Sequence, residues 1–286
     1  MNDLSFLYTK AGIDYIRKKY GFKNSKSLGQ NFLADESVID AIIDAAEIGP
    51  EDFVVEIGPG LGVLTAKEAR RAGKVCAVEL DRALIPILHD LFGGFPNVEI
   101  RNEDILKVDL TTLIADAGMA HTKIIGNLPY YITTPILMAL LEKRVPAESI
   151  TVMMQKEVAD RVTAPPGGRT YGALSVACQY YARVREVVQV PKEAFVPAPK
   201  VDSTVLRLDL RQEPAVKVAD EALFFRLVKA GFAQRRKTLL NSLTGAGFGK
   251  ETIKAALQAA GIDPVRRAET LSLEDFGRLT DAFAGE

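Results

Sequence analysis

The chain has 286 residues, enough for one large domain with a smaller one after it, or for two modest domains. Its 48% hydrophobic and 26% charged content exclude a disordered chain, and two cysteines, Cys76 and Cys178, exclude a disulfide framework or a four-ligand zinc site. The net charge of −1 gives no hint of a polyanionic partner, the N-terminus lacks the apolar run of a signal peptide, and no window approaches the ~20 apolar residues of a membrane span. A soluble, cytoplasmic protein with no membrane association is therefore expected.

Charge distribution says more than the total. Residues 10–26 hold Lys10, Arg17, Lys18, Lys19, Lys23 and Lys26 against the single acid Asp14. From 38 the run VIDAIIDAA has helical spacing, and Gly49-Pro50 ends it. Strand and helix signals then alternate: strands at Phe53–Ile57, Lys74–Leu80, Val98–Ile100, Lys123–Ile125 and Ser149–Met154, with helices at Leu64–Ala72 and Arg82–Leu91 between the first three. That order predicts an α/β fold on a parallel sheet. Ala173–Tyr181 fits strand or helix, and Thr204–Leu210 fits a strand. The polar, proline-interrupted stretch Arg211–Pro214 resembles a linker, and helices are expected at Glu221–Leu243, Glu251–Ala260 and Leu273–Ala284. Residues 225–241 are a second basic cluster, with Arg226, Lys229, Arg235, Arg236 and Lys237 and no acid. Either cluster alone reads as a solvated face, but two of them flanking a catalytic motif suit phosphate backbones.

The first strand runs into Gly58-Pro59-Gly60-Leu61-Gly62. Glycines in a strand-to-helix turn let the backbone approach a ligand closely. The spacing is G-x-G-x-G, and Val63 stands where a dinucleotide loop has its third glycine. This departure disfavours a pyrophosphate and suits S-adenosylmethionine, which carries none. Glu79 lies 21 positions after Gly58, where a ribose-binding acid is expected, and Asp104 after the third strand is placed to accept from an adenine amine. Each acid alone could simply cap a helix. One per strand end along the carboxyl edge makes a nucleoside pocket.

The fourth strand leads to Asn127-Leu128-Pro129-Tyr130. An exocyclic purine amine is a poor nucleophile because its lone pair is delocalised into the ring. If both N–H groups donate to fixed acceptors, the Asn127 side-chain oxygen and the Leu128 carbonyl, the nitrogen can present its lone pair to a methyl group. Pro129 stiffens the turn and has no N–H to compete. Tyr130 offers a ring for base stacking. Catalysis is then mainly positioning.

With these motifs the chain resembles the ribosomal RNA adenine dimethyltransferases, and among them the bacterial 16S ribosomal RNA adenine-N6,N6-dimethyltransferases. The resemblance covers nearly the whole chain: SLGQNFL (27–33), EIGPGLG, VELD, NED, GNLPYYITTPIL, MMQKEVADR (153–161), YGALSV (171–176), FVPAPKVDS (195–203) and FAQRRKTLLNSL (232–243). It implies a Rossmann-like class I methyltransferase domain over 1–210, with an N-terminal extension over 1–26, and a helical RNA-binding domain over 211–286. It implies a cofactor pocket of Asn31, Leu33, Gly58, Gly60, Glu79, Asp104 and Asn127 that takes S-adenosylmethionine and no metal. The implied reaction is dimethylation of two adjacent adenosines in a hairpin near the 3′ end of 16S RNA, in the small subunit or its precursor, by a monomer with a role in subunit biogenesis. Phe195 would form the second wall around a flipped adenine, opposite Tyr130, and Arg235, Arg236 and Lys237 would meet RNA phosphates. Related drug-resistance methylases act on the large subunit and typically read Asn-Ile-Pro-Tyr. Leu128 and the long C-terminal region favour the small-subunit group. A purely non-catalytic ribosome-assembly factor is disfavoured by the intact Asn127–Tyr130 motif, and a DNA adenine methylase by the lack of an added base-reading domain. The extension and the slightly acidic total depart from the family pattern without touching a motif.

Overall fold

The computed structural model describes residues 3–25 and 28–284; Lys26 of the first basic cluster and Ser27 of SLGQNFL lie outside the described residues. The strands are β1 (Phe32–Leu33), β2 (Asp52–Ile57), β3 (Lys74–Glu79), β4 (Val98–Asn102), β5 (His121–Asn127), β6 (Ser149–Gln155), β7 (Ala182–Val190), β8 (Phe195–Val196) and β9 (Ser203–Leu210). Seven of them form one sheet in the order β4-β3-β2-β5-β6-β9-β7, while β1 and β8 make a separate antiparallel ribbon. The expected parallel pairing holds from β4 through β6. It stops at β9, which runs antiparallel to β6.

The helices α1 (Lys10–Lys19), α2 (Glu36–Ala46), α3 (Thr65–Arg71), α4 (Ile85–Phe92), α5 (Leu110–Ala117) and α6 (Thr133–Glu142) belong to the same unit as the sheet. Helix α2 shows how local sequence sets them. The Asp35 side chain caps it by accepting from the Ser37 and Val38 amides at 3.0 and 3.3 Å. Its apolar stripe Val38, Ile39, Ile42, Ile43 is buried, and Glu47 ends it in the left-handed region at φ 54°. Strand β2 is buried along its whole length, as a strand covered on both faces must be. The N-terminal extension is not an appendage: Leu7, Ile13, Ile16 and Phe22 share one core with Phe32, Val190 and Phe195. Lys10, Lys18 and Lys23 stay exposed.

The second unit comprises Asp160–Val184 and Arg211–Glu286. It holds the last turns of α7 (Lys156–Thr163), then α8 (Ala173–Tyr181), α9 (Glu221–Ala233), α10 (Leu239–Gly245), α11 (Lys250–Ala259) and α12 (Leu273–Ala284). This corrects the continuous 1–210 domain, because residues 160–184 pack with the C-terminal helices. The reason is aromatic. Tyr180 and Tyr181 close α8 and sit 4.9 and 5.6 Å, centroid to centroid, from Phe224 and Phe225 of α9, and both hydroxyls donate to the Glu221 carboxylate at 3.0 and 2.9 Å. Replacing Glu221 with Ala takes this acceptor from two buried phenols. We expect a loss of about 2 kcal/mol, read as a fall in Tm of roughly 4–8 °C; an unchanged Tm would deny Glu221 its bridging role.

The single helix expected over Glu221–Leu243 is two. Gln234 leaves helical geometry at φ −131°, ψ 74°, and Thr238 caps α10 by accepting from the Asn241 amide. The stretch Gln234–Lys237 is thus an exposed turn between helices and not the start of a helical face. Among the described residues no helix is long and apolar enough to cross a membrane.

Candidate active site

Loops at the carboxyl ends of β2, β3, β4 and β5, where open α/β sheets bind ligands, line a cleft. The cofactor-pocket residues Asn31, Leu33, Gly58, Gly60, Glu79, Asp104 and Asn127 all border it, as do Leu128, Pro129, Tyr130 and Phe195.

The glycine turn is built for close approach. Gly58, Gly60 and Gly62 all have positive φ, at 69°, 60° and 78°. A Cβ on Gly60 would meet the Phe32 ring at 3.1 Å, and one on Gly62 would lie 2.3 Å from the Phe92 ring. Glycine is therefore required there both by backbone geometry and by space.

Glu79 ends β3, 6% exposed. One carboxylate oxygen accepts from the Gly60 amide at 3.1 Å and the other from the Asp81 amide at 2.7 Å. Burial pushes its pKa up, while these backbone donors pull it down by favouring the charged form. The acid thus braces the glycine turn, and each oxygen keeps a second lone pair for a ligand hydroxyl. Asp104 borders the cleft, and one of its oxygens caps its own turn by accepting from the Leu106 amide at 3.1 Å. Asn31 sits in a strap over the cleft, its amide donating to the Gly29 carbonyl at 3.1 Å. Next to it Gln30 anchors the strap to the end of β3 by donating to Asp81 at 2.7 Å. Leu33 is fixed by the β1–β8 ribbon, opposite Phe195.

Asn127 is the last residue of β5, and its side-chain amide takes no hydrogen-bond partner among the described residues. The Leu128 carbonyl has only a 3.5 Å contact from the Thr133 hydroxyl, which donates at 3.0 Å to the Pro129 carbonyl instead. Both acceptors expected from the sequence are thus unsaturated. Tyr130 is half-buried and its hydroxyl lies 2.7 Å from that of Ser203, an anchor that orients the ring. Phe195 borders the cleft at 3% exposure, as part of the core.

Sequence reasoning missed Leu80 and Tyr131, apolar or aromatic residues in the cleft that remain 50% and 56% exposed. A large exposed apolar group at a ligand cleft is informative where one on an open surface is not. The expected strand ran through Leu80, whereas β3 ends at Glu79 and leaves Leu80 just beyond it at the cleft.

Charge decides what the cleft accepts. Among the described residues, every charged one lining it is an acid: Glu56, Glu79, Glu103 and Asp104. Among the described residues that line it there is no lysine or arginine to meet a phosphate, which disfavours a dinucleotide and suits a cationic nucleoside. In the second unit, Arg235 differs from its neighbours. Its guanidinium donates to the Arg169 and Tyr171 carbonyls and lies 3.7 Å from Glu269. Arg236 and Lys237 are exposed and make no ion pair among the described residues.

Comparison with known proteins agrees with this geometry. The chain is 51% identical over 272 residues to "Ribosomal RNA small subunit methyltransferase A" of Alkaliphilus oremlandii (strain OhILAs), covering 94% of this chain and 95% of that one. A protein of the same name from Shouchella clausii (strain KSM-K16) is 50% identical over 289 residues, covering 99% and 97%. Among solved structures, a dimethyladenosine transferase from Plasmodium falciparum superposes with TM-score 0.73 at 26% identity, over 86% of this chain and 95% of that one. The 23S rRNA methyltransferase ErmE superposes with TM-score 0.69 at 29% identity, over 89% and 100%. The fold is that of the class I methyltransferases, and the cofactor is S-adenosylmethionine. The ribosomal RNA adenine dimethylase family matches residues 21–284, and the chain belongs to it.

Proposed function

We propose that this enzyme dimethylates N6 of two adjacent adenosines in a hairpin near the 3′ end of small-subunit (16S) ribosomal RNA, as a cytoplasmic monomer acting during small-subunit biogenesis. The observation that carries the amine chemistry is the pair of unsaturated acceptors, Asn127 and the Leu128 carbonyl, at the mouth of an acid-lined cleft. The small-subunit names of relatives about 50% identical over nearly the full chain favour 16S over 23S RNA.

When bound, the cofactor supplies a methyl group on a positively charged sulfur that leaves readily. Glu79, Asp104 and the glycine turn hold the nucleoside end of that cofactor, with Asn31 and Leu33 in the strap above it. Asn127 and Leu128 accept from the two N–H groups of the target amine, turning its lone pair toward the methyl and fixing the line of attack. Tyr130, anchored through Ser203, stacks on the target base, Phe195 forms the second wall opposite it, and Pro129 keeps the turn rigid. The proton on the methylated nitrogen can leave to solvent, so no strong base is required.

Methyl transfer from labelled S-adenosylmethionine to small subunits isolated from a strain lacking this modification tests the reading, with nucleosides read by mass spectrometry. N6,N6-dimethyladenosine confined to small-subunit RNA is the expected result. Transfer only to large-subunit RNA or DNA would remove the proposed substrate.

Phosphate contacts from the second unit are assigned to Arg236 and Lys237. Replacing both with Ala should lower the slope of log K against log salt for the RNA substrate by about two, near one per phosphate contact. Arg235→Ala should act instead on the stability of its own turn, because that guanidinium is already engaged. An unchanged slope in the double variant would take this turn off the RNA surface.

A further inference from the structure

Two buried acids beside the cleft have no part in the chemistry above. Glu56, on β2, is 1% exposed and borders the cleft. Glu68, on α3, is fully buried, and among the described residues neither of its carboxyl oxygens meets a hydrogen-bond donor. The two carboxyls lie within hydrogen-bonding reach of each other, and the Thr65 hydroxyl donates to Glu56. Two adjacent carboxylates cannot both ionise in an apolar interior, so a proton must lie between them. Burial pushes Glu56 up to about 7, and burial with the nearby Glu56 charge holds Glu68 well above the usual carboxylate range.

The surrounding charges do not relieve the pair. Glu79 on β3 adds negative charge to Glu56, and Glu103 and Asp104 after β4 border the same cleft. The basic side chains of α3 act elsewhere: Lys67 pairs with Glu36 and Asp40, Arg71 with Asp44, and Arg70 acts on Asp3. A cation arriving in the cleft is therefore the event that favours an ionised Glu56.

We propose that Glu68 is a positioning residue of the cofactor site: remaining protonated, it donates to Glu56 and fixes that carboxylate at the cleft wall, and binding of the cationic cofactor expels one proton from Glu56 to solvent. The O–H bond of Glu56 breaks, its electron pair stays on the carboxylate, and Glu68 keeps its own proton. The inference rests on the cleft being the cofactor site. The sign follows from linkage: a proton that must leave on binding makes affinity rise with pH until the free protein has already lost it.

Calorimetric titration of the full chain with S-adenosylmethionine, at pH 6, 7 and 8 and in two buffers of different ionisation enthalpy, reads both affinity and protons released. Binding is expected to be about tenfold weaker at pH 6 than at pH 8, with release near one proton at pH 6 and little at pH 8. Glu56→Gln should abolish the release while Glu79 is untouched. Glu68→Gln, which keeps a neutral donor, should preserve both quantities. Glu68→Leu should weaken binding several-fold at pH 7 and move the midpoint upward, whereas a merely space-filling role would make leucine as good as glutamine. Binding without proton exchange in the wild-type protein, or a Glu68→Leu titration matching wild type, overturns the inference and leaves the cleft assignment standing. Absence of binding at every pH removes both.

Discussion

Asn127→Ala is expected to lower kcat for methyl transfer by about 10²–10³ while leaving RNA affinity unchanged. The side chain ends β5 with its amide unsatisfied, so its removal withdraws an acceptor from the amine without disturbing an existing hydrogen bond. It touches no phosphate-binding group. The loss should therefore fall on the bound complex and appear in kcat more than in the KM for RNA. Asn127→Asp, which retains an acceptor oxygen, should keep more activity than the alanine variant. Single-turnover transfer measured at saturating cofactor isolates the step. A kcat within tenfold of wild type in Asn127→Ala would show that the amine is positioned by other groups.

The second large effect belongs to Glu79. Its carboxylate joins two roles in one buried group, bracing Gly60 and Asp81 through their amides and offering lone pairs to the ribose hydroxyls. Glu79→Ala leaves two amides without this acceptor and removes the ligand contacts together. Hydrogen bonds to a charged group contribute about 1.5–3 kcal/mol each, so cofactor Kd should rise by roughly a hundredfold or more. Glu79→Gln should fall between the two, since an amide keeps one acceptor oxygen but sets an N–H against a backbone N–H. Equilibrium binding to S-adenosylmethionine checks this. A change under about threefold for the alanine variant would assign the ribose to another group.

The sheet strands and the cleft were legible in the sequence for one reason. Buried parallel strands are continuous apolar runs, and a ligand turn at their ends needs glycine and acids at fixed offsets. Helices α5 and α6 were not read, because Thr111, Thr112, Thr133, Thr134 and Pro135 are poor helix formers that tertiary packing overrides. Strand β7 was hidden by its edge position: Arg183, Arg185 and Glu186 spoil the apolar run, and the burial pattern shows both faces partly open. The break between α9 and α10 carries neither glycine nor proline. Its signal was Thr238, an N-cap residue inside a pattern that otherwise reads as one helix. Residues 160–184 gave no linker signal, since their allegiance to the second unit depends on Tyr180 and Tyr181 meeting partners 40 or more positions away in sequence. Around the site, the residue types were readable, but the engagement of Arg235 and the burial of Phe195 were not, because both depend on neighbours distant in sequence.

The β1–β8 ribbon has a consequence for the order in which the enzyme becomes competent during its own synthesis. Phe32 pairs with Val196 and Leu33 with Phe195, so the strap carrying Asn31 is pinned by a segment translated long after it. The N-terminal helix waits for the same late residues, since Ile13 and Ile16 share their core with Val190 and Phe195. The glycine turn needs only β2 and β3, which are adjacent in the sheet and close in sequence. A nascent chain stopped before residue 190 would therefore carry the glycine turn with its strap held only through Gln30 and Asp81, without the ribbon. Closing so long a loop is slow relative to local pairing, which places completion of the binding site late in folding.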